Sequence, residues 1–187
     1  MTTYPLHTAE TAPRASRPIL EGAEKALGFV PNLYATMADA PAALQTYTDI
    51  STSFDSTSLS PLERQVVLIA ASVENNCTYC VAAHSTIAGM QKLDTSVVDA
   101  LRNAEDPADP KLAALAHFTR VVVEQRGFAG QEEVDRFLDA GYTTGQVLEV
   151  VLGVTMKTLS NYTSHLAAQP LDAAFEPQRW ERPALAG

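Results

Sequence analysis

The two cysteines of the chain stand close together in the segment Cys77-Thr78-Tyr79-Cys80, and His84 follows four residues later. Two thiols at this spacing can close a small disulfide ring and open it again. Only the thiolate form of cysteine attacks a peroxide or a disulfide, and a free thiol with a pKa of about 8.5 is mostly protonated at neutral pH. The pattern therefore indicates redox chemistry, supported by neighbouring groups that favour the thiolate.

His84 is the group that we expect to favour the thiolate. On a helix it lies at i+4 from Cys80 and i+7 from Cys77, so the three side chains share one face. Imidazole titrates in the range needed to accept a thiol proton, and the positive end of a helix beginning near Cys77 also favours an anion. Glu74, just before this helix, is the candidate third catalytic group, which would orient or charge His84.

The predicted catalytic cycle uses both sulfurs. A thiolate attacks the O–O bond of a peroxide and becomes a sulfenic acid, and the second cysteine condenses with it to give a redox-active disulfide and water. An external dithiol then restores the pair by exchange. We favour Cys80 as the attacking sulfur because it is nearer to His84, with Cys77 as the resolving one. The reverse order stays open, since the first cysteine of such a motif is often more exposed.

The cysteines allow two other interpretations. Free cysteines are often small buried hydrophobic residues. Alternatively, a C-x-x-C segment supplies two zinc ligands, and His84 would supply a third. Structural zinc needs a fourth ligand, usually from a second Cys or His pair, whereas His117 and His165 are isolated in the sequence. We therefore predict no metal and no bound cofactor.

Three further residues are candidates for lining the thiol pocket. Asn161 and His165 lie in a polar run that ends a long apolar helix, and Tyr79 lies between the two cysteines. Capping of the helix end and simple packing would explain the same residues without a function. From their positions in the sequence, all three are predicted pocket residues.

The charge balance argues against two classes of partner. The chain has 22 acidic and 13 basic residues and a formal net charge of −9, so it repels nucleic acid and anionic membrane surfaces. Its N-terminal residues lack the apolar core of a signal peptide, and no apolar stretch approaches the roughly 20 residues that span a bilayer. We expect a cytoplasmic protein, in which a lone C-x-x-C pair is more often catalytic or metal-binding than structural.

Apolar residues recur at helical spacing along the chain, and no alternating strand pattern stands out, so the prediction is an all-α protein. Residues 1–16, rich in Thr, Ala and Pro, are predicted to form a flexible N-terminal arm. Residues 17–187 are predicted to form a single helical domain. After residue 170 the chain is expected to be irregular, with Phe175 and Trp180 docking it onto the domain.

The helices around the cysteines have clear sequence signals. Ser60 begins one of them as the cap, with proline next and Glu63 three residues after the cap. This helix should end near residues 75–76, because asparagine tolerates the left-handed backbone of a helix exit. A second helix is predicted from about Cys77 to Met90, with both cysteines in its first turn.

The same order of elements occurs twice. A proline-led helix, a break, a second helix and a helix capped by a polar residue occur on each side of residue 105. Asp94 or Thr95 is the predicted cap in the first half, and Thr143 or Thr144 in the second. This order indicates an internal duplication of helical units.

These motifs resemble the carboxymuconolactone decarboxylase and AhpD-like alkylhydroperoxidase superfamily. The likeness is carried by LSPLER at 59–64 and CTYCVAAH at 77–84, and GFVPNLY at 28–34 with NYTSH at 161–165 looks like the peroxidase-related branch. It covers roughly residues 20–175. The resemblance implies an all-α AhpD-like bundle of duplicated helical units, assembled into a homo-trimer or homo-hexamer. It also implies reduction of hydroperoxides without metal or flavin, using an external dithiol or a disulfide-reductase partner.

One position departs from the family pattern. In the best-known hydroperoxidases of this superfamily, a glutamate twelve residues before the first cysteine completes the proton relay, and that position is Gln65 here. Glu63 and Glu74 are the available substitutes, and Glu74 is the predicted one. The decarboxylase branch does not depend on the cysteine pair, so the pair favours redox chemistry. A decarboxylase-like lyase and a non-catalytic thiol redox sensor are the alternatives.

Overall fold

The computed structural model describes residues 3–183, which contain nine α-helices, one short 3₁₀ helix and no strand. The all-α prediction is confirmed. Within the same residues, no helix is both long and apolar enough to cross a membrane. The helices are α1 (Arg17–Leu27), α2 (Asn32–Met37), α3 (Pro41–Asp55), α4 (Pro61–Glu74), α5 (Thr78–Met90), α6 (Thr95–Arg102), α7 (Pro110–Glu124), α8 (Gly130–Asp139), α9 (Thr144–Ala167) and the 3₁₀ helix Glu176–Gln178.

Side-chain caps fix the beginnings of the main helices. At the start of α4, the Ser60 hydroxyl accepts from the Glu63 N–H at 3.3 Å, and the Glu63 carboxylate accepts from the Ser60 N–H at 2.8 Å. Thr143 and Gln146 form the same reciprocal pair at the start of α9, and the Asp94 carboxylate caps α6. Each pair satisfies helix N–H groups that would otherwise lack an acceptor, so these local residues set where the helices begin.

The break between α4 and α5 places the cysteines. Asn76 has a φ of +55°, the left-handed conformation predicted for the exit of α4. The Cys77 N–H then donates to the Ser72 carbonyl at 2.9 Å, and the Cys77 carbonyl accepts from the Val81 N–H at 3.0 Å. Cys77 is therefore the N-cap of α5 and Cys80 lies in its first turn, as the sequence predicted.

Helix α4 is the centre of the bundle. Every residue from 65 to 73 is buried, and the helix packs against α5, α6, α7 and α9. The units α4–α5–α6 and α7–α8–α9 repeat one order, and their proline-led helices α4 and α7 pack on each other. This arrangement confirms the duplicated helical units.

Both ends of the described chain lie against the bundle. Ala12 and Ser16 of the N-terminal segment are buried, and the His7 N–H donates to the Ala35 carbonyl at 3.2 Å. The flexibility of this arm stays a prediction. Residues 1–2 of the arm and 184–187 of the domain lie outside the described residues.

The C-terminal segment after residue 170 is the part predicted to dock through aromatic residues. Phe175 and Trp180 are both buried. The Trp180 indole donates to the Arg102 carbonyl at 2.7 Å, and the Phe175 ring packs edge-on against Tyr79. The prediction of a docked, mostly irregular tail is correct, and the tail therefore reaches the first turn of α5.

Candidate active site

A cavity of about 320 Å³ opens beside the first turns of α5. Its lining includes Cys80, His84 and Lys157, together with the hydroxyl-bearing residues Ser51 and Thr86 and three tyrosines. The rest of the wall is mostly apolar or aromatic, so the cavity suits an apolar molecule with one reactive polar end. Its apolar wall includes Leu27, Phe29, Leu33, Tyr34, Tyr47, Ile87, Met90, Met156 and Phe175.

The two cysteines are free thiols, both buried, but they stand in different positions relative to the cavity. Cys80 lines the cavity, whereas Cys77 lies behind it and outside the lining of this cavity. The Cys80 sulfur lies 3.9 Å from the Ser160 hydroxyl and 4.0 Å from the Ser164 hydroxyl of α9. A molecule in the cavity therefore lies next to Cys80, which is the cysteine that lines it.

Electrostatics separate the two thiols. Burial raises the pKa of Cys80, but the S–H group of Cys77, the Lys157 ammonium and the polar hydrogens of Asn161 and Ser160 outweigh burial and lower that pKa to about 5. The hydrogen bond donated to Cys80, together with burial, raises the pKa of Cys77 far above its usual range. The arrangement favours one thiolate at Cys80 and one retained proton at Cys77.

His84 is held between two side chains from distant parts of the sequence. Its Nε2 lies 2.9 Å from Lys157 Nζ, and its Nδ1 lies 3.2 Å from Gln65 Oε1. Because an ammonium is only a donor, Nε2 accepts and the protonated Nδ1 donates to the amide oxygen. Burial, followed by the charge of Lys157, lowers the pKa of His84 well below its usual value. The cation next to the thiols is thus Lys157, where the sequence had suggested a protonated imidazole.

Lys157 is not among the site residues predicted from the sequence. Its side chain is only 1% exposed, and it lies on the buried face of α9 with Gly153 and Ser160. The sequence did hold a signal, because Lys157 is the only Lys, Arg, Asp or Glu between Glu149 and Asp172. A single charged residue seven positions after the buried Val150 is placed on the apolar face of the helix.

The glutamates expected to assist His84 do not reach it. Glu63 caps Ser60 and lies 3.6 Å from the Lys111 ammonium. Glu74 is partly exposed at the end of α4, and within residues 3–183 no hydrogen bond or ion pair joins it to His84. Gln65, at the position where the family pattern has a glutamate, does contact the imidazole. Its side chain is an amide and not a carboxylate. Glu74 therefore does not contact His84, whose two ring nitrogens have Gln65 and Lys157 as partners.

The three candidate pocket residues have different positions. Tyr79 lines the cavity, and its hydroxyl donates to the Asp172 carboxylate at 2.5 Å. Asn161 is fully buried and accepts from the Asn75 amide at 3.0 Å, next to Cys80. His165 is exposed, stacks on Tyr162 with ring centroids 6.4 Å apart, and is not part of the cavity wall.

Metal ligands do not converge in the part of the chain that the structure describes. No group of three or more His, Cys, Asp and Glu side chains has the arrangement of a metal site there. His84, which was the third ligand in the zinc interpretation, uses both ring nitrogens in hydrogen bonds to protein side chains.

Comparison with known proteins relates part of this chain to a family. Residues 38–121 match the carboxymuconolactone decarboxylase family. The fold matches the alkylhydroperoxidase AhpD core of an uncharacterized peroxidase-related protein from Ralstonia eutropha JMP134, with a TM-score of 0.82 and 21% identity, over 92% of this chain and 93% of that chain. The chain is therefore similar to the carboxymuconolactone decarboxylase family over residues 38–121, and to the AhpD core in its fold. No curated protein sequence matches it.

Two other solved structures share this fold over most of the chain. A peroxidase-related protein from Silicibacter sp. TM1040 has a TM-score of 0.78 and 19% identity, over 91% of both chains. A variant of the debrominase Bmp8 in complex with 2,3,4-tribromopyrrole has a TM-score of 0.77 and 19% identity, over 95% of both chains. At these identities the comparison shows a common fold, and it leaves the substrate to be argued from the site.

Proposed function

We propose that this protein is a thiol-dependent oxidoreductase of the AhpD-like type that reduces organic hydroperoxides. One observation carries the proposal: Cys80 lies on the wall of an apolar cavity in surroundings that favour its thiolate, while Cys77 stands behind it with its proton. Peroxide reduction by two cysteines requires a thiolate that attacks the substrate. It also requires a second, protonated cysteine next to the first.

The reaction then has three steps. The Cys80 thiolate attacks one oxygen of the hydroperoxide, breaking the O–O bond, forming a sulfenic acid and releasing an alkoxide that takes up a proton. The Cys77 thiol displaces the hydroxyl of the sulfenic acid, which leaves as water as the disulfide forms. An external dithiol reduces the disulfide by exchange and is itself oxidised. The sum is one hydroperoxide and one dithiol converted into alcohol, water and a disulfide.

Cumene hydroperoxide is a suitable probe because its apolar body matches the cavity wall. The reduced protein is mixed with one equivalent, and thiol titration with mass analysis is expected to show the loss of two thiols and two hydrogens. Turnover with dithiothreitol is then followed for Cys80→Ser and Cys77→Ser, which are matched single-atom changes. Both should lose dithiol-dependent turnover, and Cys77→Ser should stop at a sulfenic acid that dimedone traps. Full activity in both variants would overturn the proposal.

Reductive dehalogenation is a second candidate activity. The cavity is lined by the aromatic rings of Phe29, Tyr34, Tyr47, Tyr79 and Phe175, which suit a flat halogenated ring. Bmp8, which has the same fold, is a debrominase. Bromide release from 2,3,4-tribromopyrrole, supported by a dithiol and lost in Cys80→Ser, would support this activity. No bromide above the level of that variant would rule it out.

The other two interpretations predict different outcomes in the same experiments. A decarboxylase-like lyase would keep its activity in both cysteine variants, because its chemistry does not need the thiols. A redox sensor would form the disulfide with one equivalent of peroxide but would not cycle when dithiol is supplied. Disulfide formation followed by steady turnover supports the enzyme over the sensor.

We also propose that the protein self-associates, as the resemblance implies for a trimer or hexamer. The outer side of α9 carries four exposed apolar side chains at helical spacing: Leu148, Val151, Tyr162 and Leu166. Contact between copies would remove this surface from water. Light scattering after gel filtration is expected to give a trimer or a hexamer, and a stable monomer at micromolar concentration would contradict it.

A further inference from the structure

Lys157 is a buried lysine without an ion-pair partner among the residues that the structure describes. Its side chain is 1% exposed, and within the described residues no Asp or Glu lies within ion-pair distance of its ammonium. Its hydrogen bond goes to His84, which is neutral. A buried ammonium without an anion is costly and is normally paired or deprotonated. Cys80 shares the cavity wall with Lys157 and supplies the anion when it is a thiolate.

We propose that Lys157 is a catalytic residue that carries the mobile proton of this site. In the reduced protein its ammonium balances the Cys80 thiolate, and during peroxide reduction it gives a proton to the alkoxide that leaves. The role of Lys157 as proton donor rests on the proposed peroxide reduction. Its role as counter-ion of the thiolate concerns the reduced protein alone and can be tested without any peroxide.

The geometry allows both roles. Cys80, His84 and Lys157 all line the same cavity, so a substrate bound beside Cys80 shares that cavity with Lys157. The hydrogen bond of 2.9 Å to His84 Nε2 holds the ammonium in position, and Gln65 holds the opposite edge of the ring. Gln65 presents a carbonyl oxygen to the ring and has no acidic proton to deliver. The lysine thus does from α9 what the family's glutamate would do from α4.

Protons and electrons balance over the cycle. The reduced site contains the Cys80 thiolate, the Cys77 thiol and the Lys157 ammonium. Attack on the hydroperoxide yields the sulfenic acid and an alkoxide, and Lys157 protonates the alkoxide to the alcohol and becomes a neutral amine. Disulfide formation releases water. A dithiol then delivers two electrons and two protons, of which one stays on Cys77 and the other returns to Lys157.

The other titratable groups around Lys157 do not compete for this proton. Tyr34 of α2 and Tyr47 of α3 face the site, and burial raises the pKa of each above its usual value, so both keep their protons. Asp55 of α3 is exposed and pairs with Arg64 at 3.7 Å. Helix α4 presents the neutral Gln65, and the buried side chains of α7 are uncharged. Transfer of the mobile proton therefore involves Cys80 and Lys157 and not these neighbouring groups.

The redox equilibrium with dithiothreitol tests the proton balance in the unmodified protein. If Lys157 is neutral in the disulfide form and charged in the dithiol form, reduction by dithiothreitol releases no proton. The equilibrium constant is then the same from pH 6 to pH 8. If Lys157 stays charged throughout, reduction releases one proton and the constant rises about tenfold per pH unit, which would overturn the proposal.

Three variants separate the two roles. Lys157→Met removes the charge with an unbranched apolar side chain of similar length, so we expect iodoacetamide to alkylate Cys80 at least tenfold more slowly at pH 6. Lys157→Arg keeps a cation that does not release its proton, so alkylation should stay near the wild-type rate while peroxide consumption falls at least tenfold. Lys25→Met, at an exposed lysine of α1, is the control and should change neither rate.

The outcomes distinguish this inference from the proposed function. Wild-type alkylation rates in a folded Lys157→Met protein, checked by circular dichroism, would overturn the role of Lys157 as counter-ion. Wild-type peroxide consumption in Lys157→Arg would overturn its role as proton donor. If the wild-type protein consumes no cumene hydroperoxide, the proposed function fails, whereas the alkylation and redox equilibria still decide whether Lys157 balances the thiolate.

Discussion

Gly153 of α9 passes directly against the ring of Phe54 on α3. A Cβ atom at Gly153 would lie 2.8 Å from Phe54 Cε2 and Cζ and 2.7 Å from the Val67 methyl of α4, which is closer than carbon atoms approach. Three helices therefore meet at a position without a side chain. Lys157 follows one turn later on the same face, so this contact helps to position its ammonium in the cavity.

We expect Gly153→Ala to destabilise the protein by about 1–3 kcal/mol, because overpacking outweighs the roughly 1 kcal/mol that alanine gains in a helix. Urea unfolding gives the difference in free energy. Gly145→Ala, in the first turn of the same helix, is the control, because its added Cβ would have its nearest neighbour at 3.6 Å, the Thr143 hydroxyl. The control should be neutral or stabilising, and equal losses in both variants would contradict the close contact.

Gln65→Glu would restore the carboxylate of the family pattern next to His84 Nδ1, which now lies 3.2 Å from the amide oxygen. A nearby negative charge stabilises the imidazolium, so we expect the pKa of His84 to rise. NMR titration of the imidazole nitrogens measures this change. Gln91→Glu, at an exposed position at the end of α5, is the control and should leave the pKa of His84 unchanged. An unchanged His84 in Gln65→Glu would show that the two side chains do not interact.

Cys80 should make the stability of the reduced protein depend on pH. Its pKa is about 5 in the folded protein and about 8.5 in an unfolded chain, so between these values the unfolded state binds more protons. The free energy of unfolding therefore rises with pH across this window, and the contribution is lost as the pH falls through 5. Urea unfolding of the reduced wild type between pH 7 and pH 8, above the ordinary pKa of histidine, measures this rise. A free energy of unfolding that is flat across this range would contradict the thiolate.

The hydrogen bond from Tyr79 to Asp172 should anchor the C-terminal segment. The Asp172 carboxylate is buried and otherwise accepts from the Asn32 N–H at 3.1 Å. Tyr79→Phe leaves the carboxylate without this donor and should cost about 1.5–3 kcal/mol, as expected for a hydrogen bond to a charged group. Urea unfolding measures the cost, and Tyr162→Phe on the exposed side of α9 is the control. Equal effects would show that the Tyr79 hydroxyl contributes no anchoring.

Several features of the site could be predicted because they depend on residues close together in the sequence. The reciprocal cap of Ser60 and Glu63 sets the start of α4, and Asn76 ends the turn after it. Those two signals place Cys77 at the beginning of α5 and Cys80 in its first turn. Such local hydrogen bonds and backbone preferences act within a few residues and need no knowledge of the packing.

The partners of His84 could not be predicted in the same way. Glu74 was chosen because it is close in sequence, yet the imidazole meets Gln65 from the middle of α4 and Lys157 from α9, 73 residues away. The face that one helix turns towards another depends on how whole surfaces pack, including the close approach of Gly153 to Phe54.

The sequence by itself therefore determined the helices, their caps and the position of the two thiols on α5, since short-range hydrogen bonding decides these. The tertiary structure alone decided that Cys80 faces the cavity, that Cys77 lies behind it and that a buried lysine supplies the positive charge. The physical reason is that burial and electrostatic fields arise from groups that only long-range packing brings together.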